Sequence, residues 1–212
     1  NSEGKDSPIS KFIEWAKDSS EFKNIGDQLD EIGAAAAGSK IDSIRQPFID
    51  KWKEIAVNQP DLFKKAQHDY IQTTHYEVFV EKIKEDFDFD VNSSSNGLQD
   101  AVWSTAVNHG PWNNVFRNAL TTLDYPFTSL SELTDKQIVT AIYDERARVI
   151  TQADVNKNPY QVGEIIKNKN GFKTSDIGKL IYFKNYLRTF PDRQDSLEKR
   201  YTSEKKDALA LV

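Results

Sequence analysis

Apolar residues recur along this chain at the three- and four-residue spacing that is typical of amphipathic helices. The first clear stripe follows Ser7 and Pro8, which have the pattern of a helix cap and a first-turn proline. An alternation of apolar and polar residues occurs over 87–91 and predicts one short strand at most. The pattern therefore predicts an all-α, predominantly helical fold.

Prolines and polar caps predict where several of these helices begin. Pro47 and Pro60 are each expected to open a helix, because proline is favoured in the first turn. Asn96 and Thr134 each precede a glutamine by three positions, which is the spacing of a capping box. The small-residue segment 33–39 is either a flexible crossing or a short, tightly packed helix.

The last part of the chain is more polar. The stretch 156–171 is long enough to form a surface loop or lid, in which Ile165 and Ile166 are candidates for a short element. Two helices are expected to close the chain. One has its apolar residues between 177 and 187, and the other between 197 and 209.

The helix predicted over 98–110 has an unusual composition. Leu98, Val102 and Ala106 follow helical spacing and predict a buried face. The same segment carries four polar side chains at or near that face, Ser104, Thr105, Asn108 and His109. Burying such groups is unfavourable unless each finds a hydrogen-bond partner. The helix therefore either lines a site or bonds to its neighbours inside a core, and both interpretations stay open at this point.

Composition and charge exclude several classes of function. The net charge of −5 comes from interspersed charges of both signs, whereas a nucleic-acid-binding protein would present a basic face. No apolar run approaches the length that spans a bilayer, so we expect no membrane insertion. Cysteine is absent, which excludes disulfides and thiol chemistry. Methionine is absent even at position 1, so we expect that Asn1 is not the natural start of the protein.

The spacing of the histidines does not favour a metal site. His68 and His75 are seven positions apart, so on a helix they would share a face at a separation of about two turns. That separation is too large for one ion without a third ligand between them, and His109 alone does not complete a zinc site. We therefore expect neither a bound metal nor a cofactor.

Two further features have both a structural and a functional interpretation. Arg146 either closes its helix by bonding a neighbouring carboxylate and the last carbonyls, or it holds a cleft wall or a polar group of a substrate. Trp103 and Trp112 flank the end of the 98–110 segment, and they either lie in the core or form a stacking platform for a sugar ring.

Four segments together resemble a known family. They are Gln-His-Asp-Tyr-Ile at 67–71, Thr-His-Tyr at 74–76, the 98–110 segment with Trp-Ser-Thr-Ala-Val-Asn-His-Gly, and Tyr-Asp-Glu-Arg at 143–146. The chain, from about Phe12 to its C-terminus, resembles the peptidoglycan-degrading domains at the C-terminus of type VI secretion spike proteins and in phage tail or endolysin proteins. The 103–110 string is the most specific part of the resemblance.

The resemblance implies a fold, an activity and a setting. The fold would be a single lysozyme-like helical domain over 1–212, related to chitosanases. The activity would be muramidase-type, acid-catalysed cleavage of the glycan strands of peptidoglycan. The partners would be peptidoglycan and either an upstream fragment or spike or tail proteins. The location would be a virion tail or the bacterial cell wall, reached by delivery into the periplasm.

The resemblance also implies which residues contact substrate. These residues belong to the matched segments and would form the wall of a sugar-binding cleft. They are Thr74, His75, Trp103, Ser104, Asn108, His109, Asp144 and Arg146.

The chain departs from the family pattern at three places. It has Asn108 where family members usually have Gln, and Glu77-Val78 where they tend to have Asp-Pro. The family's general acid is a glutamate on a helix upstream of a Ser-Tyr-Gly-x-Tyr-Gln-like segment. Glu3 is too close to Phe12 to match that glutamate. We therefore expect a domain without its N-terminal catalytic helix, and the catalytic residues stay unassigned.

Glycosidic cleavage normally needs a second carboxylate beside the acid. Asp69, Asp144 and Glu145 are the candidates, and each also suits a purely structural role. The alternative to a hydrolase is a catalytically inactive, structural or glycan-binding descendant of the same fold.

Overall fold

The structure is a computed structural model that describes residues 7–157, 174–182 and 193–212. The fold is all-α, as predicted. Strand-like pairing in these ranges is confined to one isolated bridge between Val149 and Ile181. The chain separates into two compact units, Asn1–Thr74 and His75–Val212. A single lysozyme-like domain over the whole chain stays a prediction. No helix among the described residues is long and apolar enough to cross a membrane.

Five helices lie in the part of the first unit that the structure describes. They are α1 Pro8–Asp18, α2 Lys23–Asp30, α3 Ala34–Ala37, α4 Asp42–Asn58 and α5 Pro60–Ile71. The predicted start of α1 is confirmed, because the Ser7 hydroxyl accepts a hydrogen bond from the Ser10 amide at 3.1 Å and proline follows the cap. The start of α5 at Pro60 is confirmed as well. The segment 33–39 contains a short helix, the second of its two predicted alternatives.

Aromatic rings form the centre of the first unit. The Phe12 ring centroid lies 5.8 Å from that of Trp52, 6.5 Å from Phe63 and 5.3 Å from Tyr70. Tilted and edge-on pairs of this kind each contribute about 0.5–1.5 kcal/mol beyond their buried area. The apolar stripe of α1 therefore buries itself against α4 and α5, as its periodicity predicts.

The expectation that Pro47 opens a helix is wrong. Pro47 lies inside α4, which begins five residues earlier at Asp42. All residues from 41 to 47 are exposed. The carbonyl that loses its helical partner at the proline can therefore bond to water, which reduces the cost of an internal proline.

Six helices lie in the described part of the second unit. They are α6 Glu77–Phe87, α7 Asn96–His109, α8 Val115–Thr121, α9 Asp135–Arg146, α10 Gln152–Lys157 and α11 Gln194–Leu209, and single 3₁₀ turns lie at Val91–Ser93, Leu130–Glu132 and Thr174–Asp176. A π-helical turn, Gln72–Tyr76, lies between α5 and α6 in the chain. The predicted capping box of α9 is confirmed, because Thr134 and Gln137 bond to each other's backbone amides at 3.3 and 2.8 Å.

Two local predictions in the second unit are wrong. The 87–91 segment is not a strand, because Phe87 ends α6 and Asp88 adopts a left-handed conformation with φ 52°. The cap of α7 is Ser95 and not Asn96. The Ser95 hydroxyl accepts a hydrogen bond from the Leu98 amide. The backbone amide of Ser95 donates to the Asp135 carboxylate at 2.6 Å. The cap therefore combines a local bond to Leu98 with a contact across 40 positions, and a local pattern does not contain the second of these.

The C-terminal helix of the second unit, α11, packs closely against α7. At Gly97 a Cβ atom would lie 2.2 Å from the carbonyl oxygen of Ala208, so α7 and α11 approach more closely than any other residue would permit. The helix predicted between 197 and 209 is confirmed as α11.

The other predicted closing helix does not form where the structure describes it. The Leu180 carbonyl accepts from the Ile150 amide at 2.7 Å, and the Tyr182 amide donates to the Arg148 carbonyl at 2.6 Å. The segment thus pairs with the chain after α9, and its internal bond from the Lys179 amide to the Asp176 carbonyl closes a turn and not a helix. Most of the polar stretch 156–171, including Ile165 and Ile166, lies outside the described residues, as does 183–192.

Candidate functional site

The polar side chains of α7 meet α9 and α11 around one buried arginine. Arg146 is the last residue of α9 and its side chain is 0% exposed. Its Nη2 donates to Oε2 of Glu204 at 3.0 Å and to Oγ of Ser104 at 3.1 Å. The Ser104 hydroxyl in turn donates to the same Glu204 oxygen at 2.7 Å. We call these three residues, with Asn108, His109, Tyr143, Arg200 and Tyr201, the Arg146 network.

The network holds Glu204 as an anion. Burial by itself raises the pKa of this carboxyl, but hydrogen bonds from Arg200 and Ser104 and the charge of Arg146 outweigh burial, so the pKa lies below its usual value. The Arg200 bond, from Nε to Oε1, is 2.6 Å long. Glu204 therefore serves as the counter-ion of the buried guanidinium.

Two aromatic rings enclose the same guanidinium. Its central carbon lies 4.4 Å from the ring centroid of Tyr201 and 4.7 Å from that of Tyr143. A desolvated cation over a ring face is stabilised by the ring quadrupole. Burial raises the pKa of Tyr143 to about 12, so this phenol stays neutral. The two rings therefore add to the compensation that Glu204 provides for burying this charge.

The other polar residues of α7 extend the network. Asn108 donates from Nδ2 to the Ser104 carbonyl at 2.7 Å and to its hydroxyl at 3.2 Å. The Thr105 hydroxyl bonds within the helix, to the Ala101 carbonyl at 2.7 Å. Nε2 of His109 lies 3.3 Å from the Tyr201 hydroxyl. Burial, followed by repulsion from Arg146, lowers the pKa of His109 to about 3, so its ring is neutral at pH 7.

The structure brings four of the eight predicted site residues together, and they are Ser104, Asn108, His109 and Arg146. Their polar groups are turned toward one another and toward α11. This arrangement agrees with the interpretation in which the polar groups of the 98–110 helix bond to neighbouring helices. It also matches the interpretation in which Arg146 bonds a neighbouring carboxylate.

The other four predicted site residues are described by other contacts. The Asp144 side chain is 64% exposed and pairs with Lys205. The Trp103 ring lies 5.3 Å from that of Tyr76. The hydroxyl of Thr74, in the first unit, donates to the Tyr70 carbonyl. His75 begins the second unit, and burial lowers its pKa. Substrate contact by any of the eight residues stays a prediction.

The three candidate second carboxylates are all paired. Asp69 is bonded by Lys65, whose hydrogen bond lowers the carboxyl pKa. Asp144 is paired with Lys205, as noted above. Glu145 is buried and accepts from Asn118 and from Nε of Arg148, both at 2.9 Å. Each of the three carboxylates thus has a structural partner.

Sequence reasoning missed the partners of Arg146. Glu204, Tyr201 and Arg200 lie in the closing helix predicted between 197 and 209, which was not predicted to contribute to a site. Their signal was present, because Arg200 and Glu204 are spaced as an i,i+4 ion pair and Tyr201 continues the apolar stripe of Leu197. Among the described residues, no group of three or more His, Asp or Glu side chains is arranged to hold a metal ion.

Comparison with known proteins assigns most of this chain to a family. Residues 5–171 match the family described as "Type VI secretion system spike protein VgrG3-like, C-terminal". Over 94 residues, 44% of this chain, the sequence is 30% identical to the type VI secretion system spike protein VgrG3 of Vibrio cholerae serotype O1. The matched stretch covers 9% of the length of that protein. The chain therefore belongs to the VgrG3-like C-terminal family of type VI secretion spike proteins.

Proposed function

We propose that this chain is the wall-directed module of a VgrG3-like spike, which delivers it to the peptidoglycan of a bacterial cell. There it acts on the glycan strands as part of a muramidase-type glycoside hydrolase. Family membership is the observation that carries this proposal. Supporting it, the two most specific segments of the family resemblance, in α7 and at the end of α9, converge on Arg146 although Ser104 and Arg146 are 42 positions apart.

The requirements of glycosidic cleavage indicate a structural role for the Arg146 network. Cleavage of a glycosidic bond needs a carboxylic acid that stays protonated near neutral pH, usually because a dry pocket raises its pKa. Glu204 has the opposite environment, since its pKa is lowered. Glu145 is bound by Arg148. We therefore propose that the network holds α7, α9 and α11 in register behind the glycan-binding surface, and that the general acid lies outside it.

One observation favours the second candidate, a glycan-binding module without activity of its own. Glu204 and Glu145 are both engaged by arginine, and the lowered pKa of Glu204 holds that carboxylate as an anion. In this alternative the chain would bind the wall without cleaving it.

Digestion of purified peptidoglycan separates the two candidates. The complete spike protein should clear a peptidoglycan suspension and release new reducing sugar ends, and the 212-residue chain by itself should do so far more slowly. Sedimentation with the insoluble wall measures binding in the same samples. Binding without new reducing ends from either protein would favour the non-catalytic module. Neither binding nor cleavage would contradict both candidates, and equal activity of the two proteins would contradict the placement of the acid.

A further inference from the structure

A groove in the second unit has the chemistry of a saccharide site, and it lies apart from the Arg146 network. It follows α9 and has a volume of about 400 Å³. Threonine side chains line it at Thr122, Thr134 and Thr140, and Leu123 supplies an apolar surface between them. The volume lies within the range of roughly 300–1,000 Å³ that is typical of small-molecule clefts.

The threonines present hydrogen-bond acceptors to the groove. The hydroxyl of Thr140 donates its proton to the Lys136 carbonyl at 2.7 Å, and that of Thr122 donates to the Ala119 carbonyl at 2.7 Å. Each oxygen keeps lone pairs that can accept a bond from a ligand hydroxyl.

Donors and a carboxylate complete the lining. The amide oxygen of Gln137 already accepts from the backbone and hydroxyl of Thr134, at 2.8 and 2.9 Å, so its NH₂ group is the part available to a ligand. The Lys136 ammonium adds further donors, and Asp144 lines one part of the groove as an acceptor. A sugar matches this set, because its hydroxyls both donate and accept while its C–H face suits the leucine.

An exposed aromatic ring lies next to the groove in the chain. Phe127 is 95% exposed. Its amide donates to the Asp124 carbonyl at 2.8 Å, which closes a turn and keeps the two Cα atoms within about 7 Å. Asp124 directly follows Leu123, a lining residue. An exposed aromatic ring can stack on a sugar, because the sugar ring presents an apolar C–H face.

We propose that the α9 groove, with Phe127 at its edge, is an anchoring site for a glycan strand away from the bond that is cut. This inference rests on the proposed function for the identity of the glycan. The groove would hold the wall polymer while the cleft acts on it, so it would affect binding to insoluble peptidoglycan more than cleavage of short, soluble fragments.

Titration with a soluble N-acetylated chitotetraose, followed by amide chemical shifts of the ¹⁵N-labelled chain, tests the site directly. We expect shifts to concentrate at 122–127 and 134–144. Thr140→Val and Phe127→Ala should each weaken binding about five- to tenfold, because one removes an acceptor and the other a stacking surface. Thr121→Val is the matched control: its hydroxyl also donates to a carbonyl four residues earlier, at Arg117, but it does not line the groove. Circular dichroism of each variant checks that the fold is kept.

The outcomes distinguish this inference from the proposed function. Absence of binding at millimolar sugar, shifts concentrated elsewhere, or equal affinities in all variants would overturn the anchoring site, even if the complete spike clears peptidoglycan. Binding at the groove that the two variants weaken would uphold it, even if no new reducing ends form. In the complete spike, Phe127→Ala should lower binding to insoluble wall and leave cleavage of soluble fragments unchanged.

Discussion

The neutral, buried state of His109 predicts that the second unit loses stability as the pH falls from 8 to 5. The pKa of His109 is lowered to about 3 in the folded chain, chiefly by burial, from an ordinary value of 6.5. Below pH 6.5 the unfolded chain binds a proton on this ring that the folded chain does not bind. A lowered histidine pKa therefore gives stability that is complete above about pH 6.5 and is lost as the pH falls toward 3.

The size of the effect follows from the two pKa values. At pH 5 the solution is about 1.5 pH units below the pKa of the unfolded histidine, while the folded histidine is still unprotonated. Each unit corresponds to about 1.4 kcal/mol, so the free energy of unfolding should drop by about 2 kcal/mol between pH 8 and pH 5 on account of this residue. Glu204 adds little in that window, because its pKa is lowered from 4.5 and its contribution is lost only at more acidic pH.

Urea unfolding at several pH values measures the effect, followed by tryptophan fluorescence and far-UV circular dichroism. His109→Gln should remove about 2 kcal/mol of the pH dependence, since glutamine can keep a hydrogen bond to Tyr201 but does not titrate. Burial also lowers the pKa of His75, so His75→Gln should remove a further part of the pH dependence. A His109 ring that titrates near 6.5 by NMR, or an unchanged pH dependence in His109→Gln, would refute the reasoning.

Three substitutions test other contacts of the second unit. Glu204→Gln removes the counter-ion of a fully buried guanidinium and should lower the free energy of unfolding by about 2–4 kcal/mol, while Glu198→Gln on the same helix should change it by less than about 0.5 kcal/mol in urea titrations. Gly97→Ala forces a methyl group to 2.2 Å from a backbone oxygen and should lower the free energy of unfolding by about 1–3 kcal/mol. The control Gly38→Ala meets no such contact, so equal melting temperatures of the two variants would contradict the close approach of α7 and α11. Asp144→Asn, at an exposed side chain, should leave the melting temperature within about 2 °C of wild type and weaken sedimentation with peptidoglycan if the predicted substrate contact exists.

Local patterns predicted most of the helices and several of their ends. The caps at Ser7 and Thr134 and the start at Pro60 depend on atoms within three or four positions, so the sequence contains everything needed to place them. Two of the errors, at Pro47 and over 87–91, fall where the deciding features are local. In the other two a distant group bonds the segment: the Ser95 amide before α7 donates to Asp135, 40 positions away, and the segment before Tyr182 pairs with the chain after α9.

The same distinction applies to the polar face of α7. The sequence by itself determined that Ser104, Asn108 and His109 lie on or near a buried helix face and must find partners, because helical spacing and the cost of burying polar groups are local facts. Only the tertiary structure decided that Ser104 bonds Glu204, 100 positions away, that Arg146 bonds both of them, and that His109 lies against Tyr201. Which helices meet depends on how whole faces pack, and the periodicity of any single helix does not contain that information.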